Sequence, residues 1–250
     1  KLRTAINVRS SDSGANEYCN NVLGYVQGSG RSDELIIVTA HMDHLGIHDG
    51  ETYYGADDNA SGTAAVVALA ELFAKASSEG YRPDRSVLFM LFTAEEKGLL
   101  GSKYYVKDPV FPLDDTKAVL NIDMVGRTDT LHEIGSRYVY VIGSDDTSSV
   151  LHNISENSNT SCCDLELDYV YNDRSHPLRL YRRSDHYNFV KKGIPAIFYF
   201  SGLHGDYHKP TDTIDKIEYE ILHERARLVF HTLWDLANYK GEISLEVPME

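Results

Sequence analysis

Residues able to bind a metal or move a proton recur just beyond the apolar runs of this chain. His41 and Asp43 stand in "HMDH" after "LIIVTA", Glu95 and Glu96 follow "LFMLFTA", and Asp123 follows "AVLNI". The loop "SGLHGDYHKPTDT", with His204 and His208, follows "IPAIFYF". In "GADDNASG" (residues 55–62), Asp57, Asp58 and Asn59 precede the helically spaced apolar segment "TAAVVALAELFA". Asp and Asn there have an ordinary use, since a side-chain oxygen at a helix N-terminus accepts an orphan backbone N–H. The other use is that one carboxylate is held for a metal. Imidazole nitrogen and carboxylate oxygen without thiolate suit Zn²⁺, with Mn²⁺ or Co²⁺ as substitutes. Singly each signal is weak: a strand-end His is more often a satisfied polar residue than a ligand, and a Glu pair is usually a solvated helix start. Their recurrence at consecutive strand ends carries the inference.

The elements that must position these residues follow an α/β pattern. Near-continuous apolar runs at 34–40, 86–94, 117–122, 138–143 and 194–200 read as strands covered on both faces. "GYVQGSG" (24–30) reads as the end of a hairpin leading into the first of them. Helices are expected over about 61–79, 98–107, 147–158, 184–192 and 215–239, and the stretch 160–183 has no assignment. Open α/β sheets bind ligands outside the carboxyl ends of their strands, where the polar residues above fall.

The 250 residues, 42% hydrophobic, suffice for one substantial core and one domain. With 38 acidic against 24 basic side chains, the formal charge of −14 opposes binding to nucleic acid or anionic lipid and leaves small molecules, peptides or cations as partners. The longest apolar runs are about half of the roughly 18 residues a membrane span needs. "KLRTAINVRSS" reads as a join into the middle of something, so a removed signal peptide or a missing N-terminal region is expected. Cys19, Cys162 and Cys163 are too few for a disulfide scaffold, and the adjacent pair lacks zinc-knuckle spacing. Asn-X-Ser/Thr triplets begin at Asn59, Asn153 and Asn159, a pattern that arises often by chance.

Five pieces in order, "HMDHLG", "GADDNASG", "AEEKGLLGS", "NIDMVG" and "YHKPTDT", resemble the M28 family of zinc metallopeptidases over about residues 34–217. The resemblance implies a three-layer α/β/α sandwich around a central mixed, mostly parallel β-sheet, with two Zn²⁺ ions at the strand ends. It implies one catalytic domain over 1–250, of which 1–30 reads as the end of a preceding region or a truncated N-terminal part. Carried over by motif, His41 and Asp123 hold one zinc, Glu96 and His208 the other, and Asp58 bridges them, with a cis peptide between Asp58 and Asn59. Asp57 is left with a local hydrogen-bonding role.

The same resemblance makes Glu95 the general base and Tyr207 the donor to the developing oxyanion, and sets the Asp43 carboxylate behind the His41 imidazole. Asp212 is expected to cap the helix that follows it rather than to serve His208. Asp185 and His186, in "RRSDHYNF", are candidates for contact behind the ligands. The remaining histidines, His44, His48, His132, His152, His176, His204, His223 and His231, read as structural or solvated. His204 is the chief competitor of His208.

The activity implied is metal-dependent exopeptidase cleavage of peptides, most simply by an aminopeptidase in a secreted or periplasmic setting. Alternatives are a glutaminyl-cyclase-like acyltransferase with one zinc and a catalytically retired ectodomain that binds a partner. A carboxypeptidase would hold its substrate's terminal carboxylate with Arg127, Arg182 or Arg183. Pairing of these arginines with the chain's surplus acids is the expected state, which favours the amino end. The side-chain preference and oligomeric state are not legible in the sequence.

Overall fold

A computed structural model describes residues 2–9 and 16–246. Its strands are β1 (Leu2–Arg9), β2 (Asn16–Val26), β3 (Leu35–His41), β4 (Gly46–His48), β5 (Glu51–Tyr53), β6 (Ser86–Phe92), β7 (Thr116–Ile122), β8 (Tyr138–Ile142), β9 (Glu166–Asp168) and β10 (Ala196–Phe200). Its helices are α1 (Gly62–Ser78), α2 (Leu100–Tyr105), α3 (Ser144–Thr147), α4 (Ser149–Cys162), α5 (His186–Val190) and α6 (Tyr219–Asn238). Among the described residues eight strands form one sheet in the order β1-β2-β6-β3-β7-β10-β8-β9, and β4-β5 is a separate small hairpin. The pairings β6-β3, β3-β7, β7-β10 and β8-β9 are parallel; β1-β2, β2-β6 and β10-β8 are antiparallel.

Every residue of β3 is buried, as a strand covered on both faces requires. Its side chains alternate between two layers. Ile36, Val38 and Ala40 pack with Val66, Leu69 and Phe73 of α1 and with Leu228, Leu233 and Leu236 of α6. Leu35 and Ile37 pack on the other face with Tyr105 of α2 and with Phe189 and Val190 of α5. The α/β/α sandwich is therefore written in the period-two alternation of one strand. A third apolar cluster, including Met124, Tyr140, Leu180, Phe198 and Phe200, lies at the strand ends beneath the loops.

The unassigned stretch 160–183 holds the end of α4, the short edge strand β9 and two 3₁₀ turns, elements too brief to leave a periodic signal. Cys162 and Cys163 are joined by a disulfide at the end of α4. Asn59 and Asn159 are buried and their side chains are spent on internal hydrogen bonds, which takes both triplets out of reach of a glycan. Among the described residues no helix is long and apolar enough to cross a membrane.

Candidate metal centre

Strands β6, β3, β7 and β10 run parallel, so their carboxyl ends share one edge of the sheet. His41 closes β3, Asp123 directly follows β7, Glu95 and Glu96 come just after β6, and His208 lies in the loop after β10. His41 Nε2 is 3.3 Å from Asp58 Oδ1 and 3.3 Å from Asp123 Oδ1. His208 Nε2 is 3.1 Å from Asp58 Oδ2 and 3.4 Å from Glu96 Oε2. Asp58 thus turns one oxygen toward each imidazole.

His44, read from sequence as structural or solvated, stands in the second group. Its Nδ1 is 3.0 Å from Glu96 Oε1 and 3.8 Å from Asp58 Oδ2. Two sets, His41 with Asp58 and Asp123, and His44 with Asp58 and Glu96, bring three donors within reach of one point. The only sequence signal for His44 is its place three residues beyond His41, in the loop that leaves the same strand end. His204 points elsewhere: its Nε2 faces Asp57 Oδ2 at 3.3 Å, and its Nδ1 meets Arg127 Nη1 and the Asp206 N–H.

Electrostatics indicate that this cluster is built around positive charge. His41 Nδ1 lies 3.1 Å from the Asp43 carbonyl oxygen, which can only accept, so Nδ1 carries a proton. In the neutral ring the Nε2 lone pair then faces two carboxylate oxygens, a repulsive arrangement unless a proton or cation lies between them. Burial opposes charge on His41, yet Asp123 and Asp58 hold its pKa well above the ordinary value. Hydrogen bonding to Asp58 and Glu96 raises His208 to about 9. Burial, reinforced by Asp123, Asp185 and Glu96, pushes the Glu95 carboxyl up to about 10 against the opposing pull of His41. His44 Nε2 is buried without a partner, and His44 Nδ1 and Glu96 Oε1 face each other at 3.0 Å without a well-directed hydrogen bond. Buried polar atoms are ordinarily satisfied, and a divalent cation among these donors would satisfy them.

The segment 55–62 resolves the two uses of its polar residues. Asn59 serves the helix: its Oδ1 accepts the N–H groups of Gly62 and Met124, while its Nδ2 donates to Ile122 O. Asp57 accepts the Gly126 N–H at 2.6 Å, the local role expected of it. The peptide from Asp58 to Asn59 is cis. The flanking glycines are required sterically. A Cβ at Gly55, where φ is +62°, would lie 2.4 Å from Asp58 O and from His44 Cγ, and one at Gly62 would lie 2.6 Å from Ile122 O. Met124 and His208 also adopt positive φ, at or beside a candidate ligand, and so does Ala94 beside Glu95.

Several supporting roles differ from expectation. Asp212 is corrected: rather than capping the helix after it, its buried carboxylate accepts the N–H groups of Asp57 and Asp58, which leaves the carboxylate of Asp58 free to face the imidazoles. Asp43 does more than expected. Its carboxylate stands behind the His41 ring, Oδ1 3.8 Å from Nδ1, but the hydrogen bond to the ring is accepted by its carbonyl oxygen, while the carboxylate accepts the N–H groups of Glu95 at 3.0 Å and Glu96 at 3.3 Å. Ser184, unmarked in the sequence reading, donates to Asp123 Oδ2 at 2.6 Å and accepts from Asn121 Nδ2. Asp185 instead takes the Ser102 hydroxyl, and His186 is buried with Nε2 on Tyr181 O. Tyr207 stacks on His208 and accepts from Arg183 Nη2 at 2.9 Å. Arg127 pairs with Asp206 at 2.8 Å, whereas Arg182 and Arg183 have no carboxylate partner among the described residues.

Beside the cluster lies a small pocket of about 30 Å³ walled by Met124, Leu180, Phe198, Phe200 and Leu203, which Glu95, Tyr207 and His208 also line.

Known proteins share this arrangement of sequence and fold. The probable leucine aminopeptidase of Arthroderma otae is 29% identical over 215 residues, covering 83% of this chain and 56% of that protein. Aminopeptidase YwaD of Bacillus subtilis is 29% identical over 228 residues, covering 88% of this chain and 45% of its own. Among solved structures, the zinc aminopeptidase BSAP of Bacillus subtilis superposes with a TM-score of 0.70 at 25% identity, over 92% of this chain and 53% of that one. An aminopeptidase from Aneurinibacillus sp. strain AM-1 gives a TM-score of 0.70 at 25% identity, over 94% and 52%. The chain spans about half the length of these relatives. The sequence profile described as peptidase family M28 matches residues 21–233, and the chain belongs to that family.

Proposed function

We propose that this chain is the catalytic domain of a zinc-dependent aminopeptidase with two zinc positions. One is held by His41, Asp58 and Asp123, the other by Asp58, Glu96 and His208, with His44 against the second. The observation that carries the reading is the division of the Asp58 carboxylate between His41 and His208, beside the buried pair of His44 and Glu96. Family membership and relatives named as aminopeptidases support it. A secreted or periplasmic setting goes with it by analogy with many members of the family.

Zinc at these positions supplies Lewis acidity, polarising a peptide carbonyl and making a water acidic near neutral pH. The work of the chain is to place a base and an oxyanion donor beside them. Glu95 is anchored through its N–H to Asp43, and the positive charge of bound zinc would lower its raised pKa, so that it could accept the proton of the attacking water and return it to the leaving amine. The Tyr207 oxygen already accepts from Arg183, so its own proton is free to donate to the carbonyl oxygen as negative charge develops. Asp123 and Asp58 provide negative charge for a substrate's α-ammonium, and the apolar wall of Met124, Leu180, Phe198, Phe200 and Leu203 is a surface for an apolar N-terminal side chain.

The test combines metal analysis with an aminoacyl peptide panel. About two zinc ions per chain, hydrolysis abolished by a chelator, and loss of cleavage on N-acetylation are expected. One zinc with cyclase activity would favour the acyltransferase alternative, and none with no turnover would favour a binding module.

A further inference from the structure

The candidate centre opens on a second side. A groove of about 470 Å³ shares Glu95, Glu96, Arg183, Tyr207 and His208 with the apolar pocket, and the rest of its lining includes Lys103, Arg182 and Lys191. In a chain of net charge −14 this gathering of cations is against the general trend. All four are exposed, and none has a carboxylate partner among the described residues. Lys191 stands over the Tyr187 ring, and Arg183 donates to Tyr207. Lys103 and Lys192 repel the charge on Lys191, whose pKa is lowered by partial burial and by these neighbours.

Pocket and groove meet at Glu95, the residue placed to protonate the leaving amine. An N-terminal residue laid against the apolar wall of the small pocket, which the metal-centre residues His41, Asp58, Glu96 and Asp123 also line, puts its scissile carbonyl at the metal cluster. The rest of the peptide must then leave by the larger groove. We propose that this groove is the leaving-group subsite and that Lys103, Arg182 and Lys191 recognise a carboxylate there, so that peptides carrying an anion just beyond the scissile bond are preferred. The inference rests on the aminopeptidase reading for its direction. A carboxylate can come from the C-terminus of a dipeptide or from an acidic side chain in a longer peptide, and the groove geometry accepts both.

Two substrate pairs distinguish the sources: Leu-Gly against Leu-Gly-amide, and Leu-Glu-amide against Leu-Gln-amide. Exposed ion pairs are individually weak, so the three cations acting together should give about a tenfold advantage in kcat/KM for the anionic member. The advantage should shrink as salt rises, because these charges are open to screening. In the triple variant Lys103→Gln, Arg182→Gln, Lys191→Gln the anionic-to-neutral ratio should fall toward one. The same pairs titrated calorimetrically into metal-loaded Glu95→Gln protein give the affinity ratio without turnover. Ratios near one in both pairs, or ratios unchanged in the triple variant, overturn the proposal. Failure of the wild-type protein to hydrolyse any of the four peptides, with the calorimetric ratio intact, would overturn the aminopeptidase reading and leave the groove assignment standing.

Discussion

The Asp43 carboxylate accepts the main-chain N–H of Glu95 at 3.0 Å, tying the loop after β3 to the loop after β6. Its second oxygen takes the Glu96 N–H, so one side chain fixes both the proposed base and a proposed ligand. Asp43→Ala should therefore weaken metal binding and lower kcat together, by the 10–100-fold typical of lost support behind a ligand. Because the His41 ring is held by the Asp43 carbonyl, which survives the substitution, metal at the His41 position should be lost last. Stepwise metal titration with a Co²⁺ absorbance readout checks the order; loss of the His41 position first would return the carboxylate to the imidazole.

Base and ligands should separate on substitution. Glu95→Gln is expected to keep its metal content while turnover falls at least 10²–10⁴-fold, the range for lost general acid–base catalysis. His41→Ala and Asp58→Ala should lose metal. Elemental analysis beside steady-state kinetics decides, and full activity in Glu95→Gln would remove it from the proton path.

Both ring nitrogens of His44 are buried; Nε2 has no partner, and Nδ1 faces Glu96 Oε1 at 3.0 Å. His44→Ala should weaken one metal position by about tenfold or more, the lower end of the effect of lost outer contacts, and leave the other unchanged. Calorimetric metal titration resolving two binding steps is the measurement. Two unaltered steps would make the ring a packing element.

His186 offers a stability test away from the metals. Its ring is fully buried against Phe198, and burial lowers its pKa to about 3, against the opposing hydrogen bond to Tyr181 O. The unfolded chain binds this proton near pH 6.5 and the folded chain does not, so stability is fully present above that value and falls as pH drops toward 3. Between pH 7 and pH 5 the loss from this group is about 2 kcal/mol. Urea unfolding of the metal-free protein at the two pH values should show a drop that is smaller in His186→Phe, whatever that variant's absolute stability. An identical drop in both proteins would assign the acid sensitivity elsewhere.

The apolar runs at 34–40, 86–94 and 117–122 marked the buried strands β3, β6 and β7, because a strand covered on both faces has no polar side to blur it. Their polar successors marked the edge where His41, Glu95, Glu96 and Asp123 gather, and the order of five motifs was enough to identify the family. The short strand β9 and the turns over 163–182 were not legible, since three-residue elements carry no period. Nor could sequence decide which group of a residue would act. Asp43 holds the imidazole by its carbonyl and the Glu95 loop by its carboxylate, Asp212 caps a segment more than 150 residues upstream, and Ser184 reaches Asp123 across 61 positions. The same holds for Arg127, neutralised by Asp206, and Arg182, left facing a groove. Residue type and local spacing determine what chemistry a side chain has to offer. Which partner receives it depends on distances set by the packing of β3, β6, β7 and β10 into one sheet, because a hydrogen bond or ion pair is decided within a few tenths of an ångström.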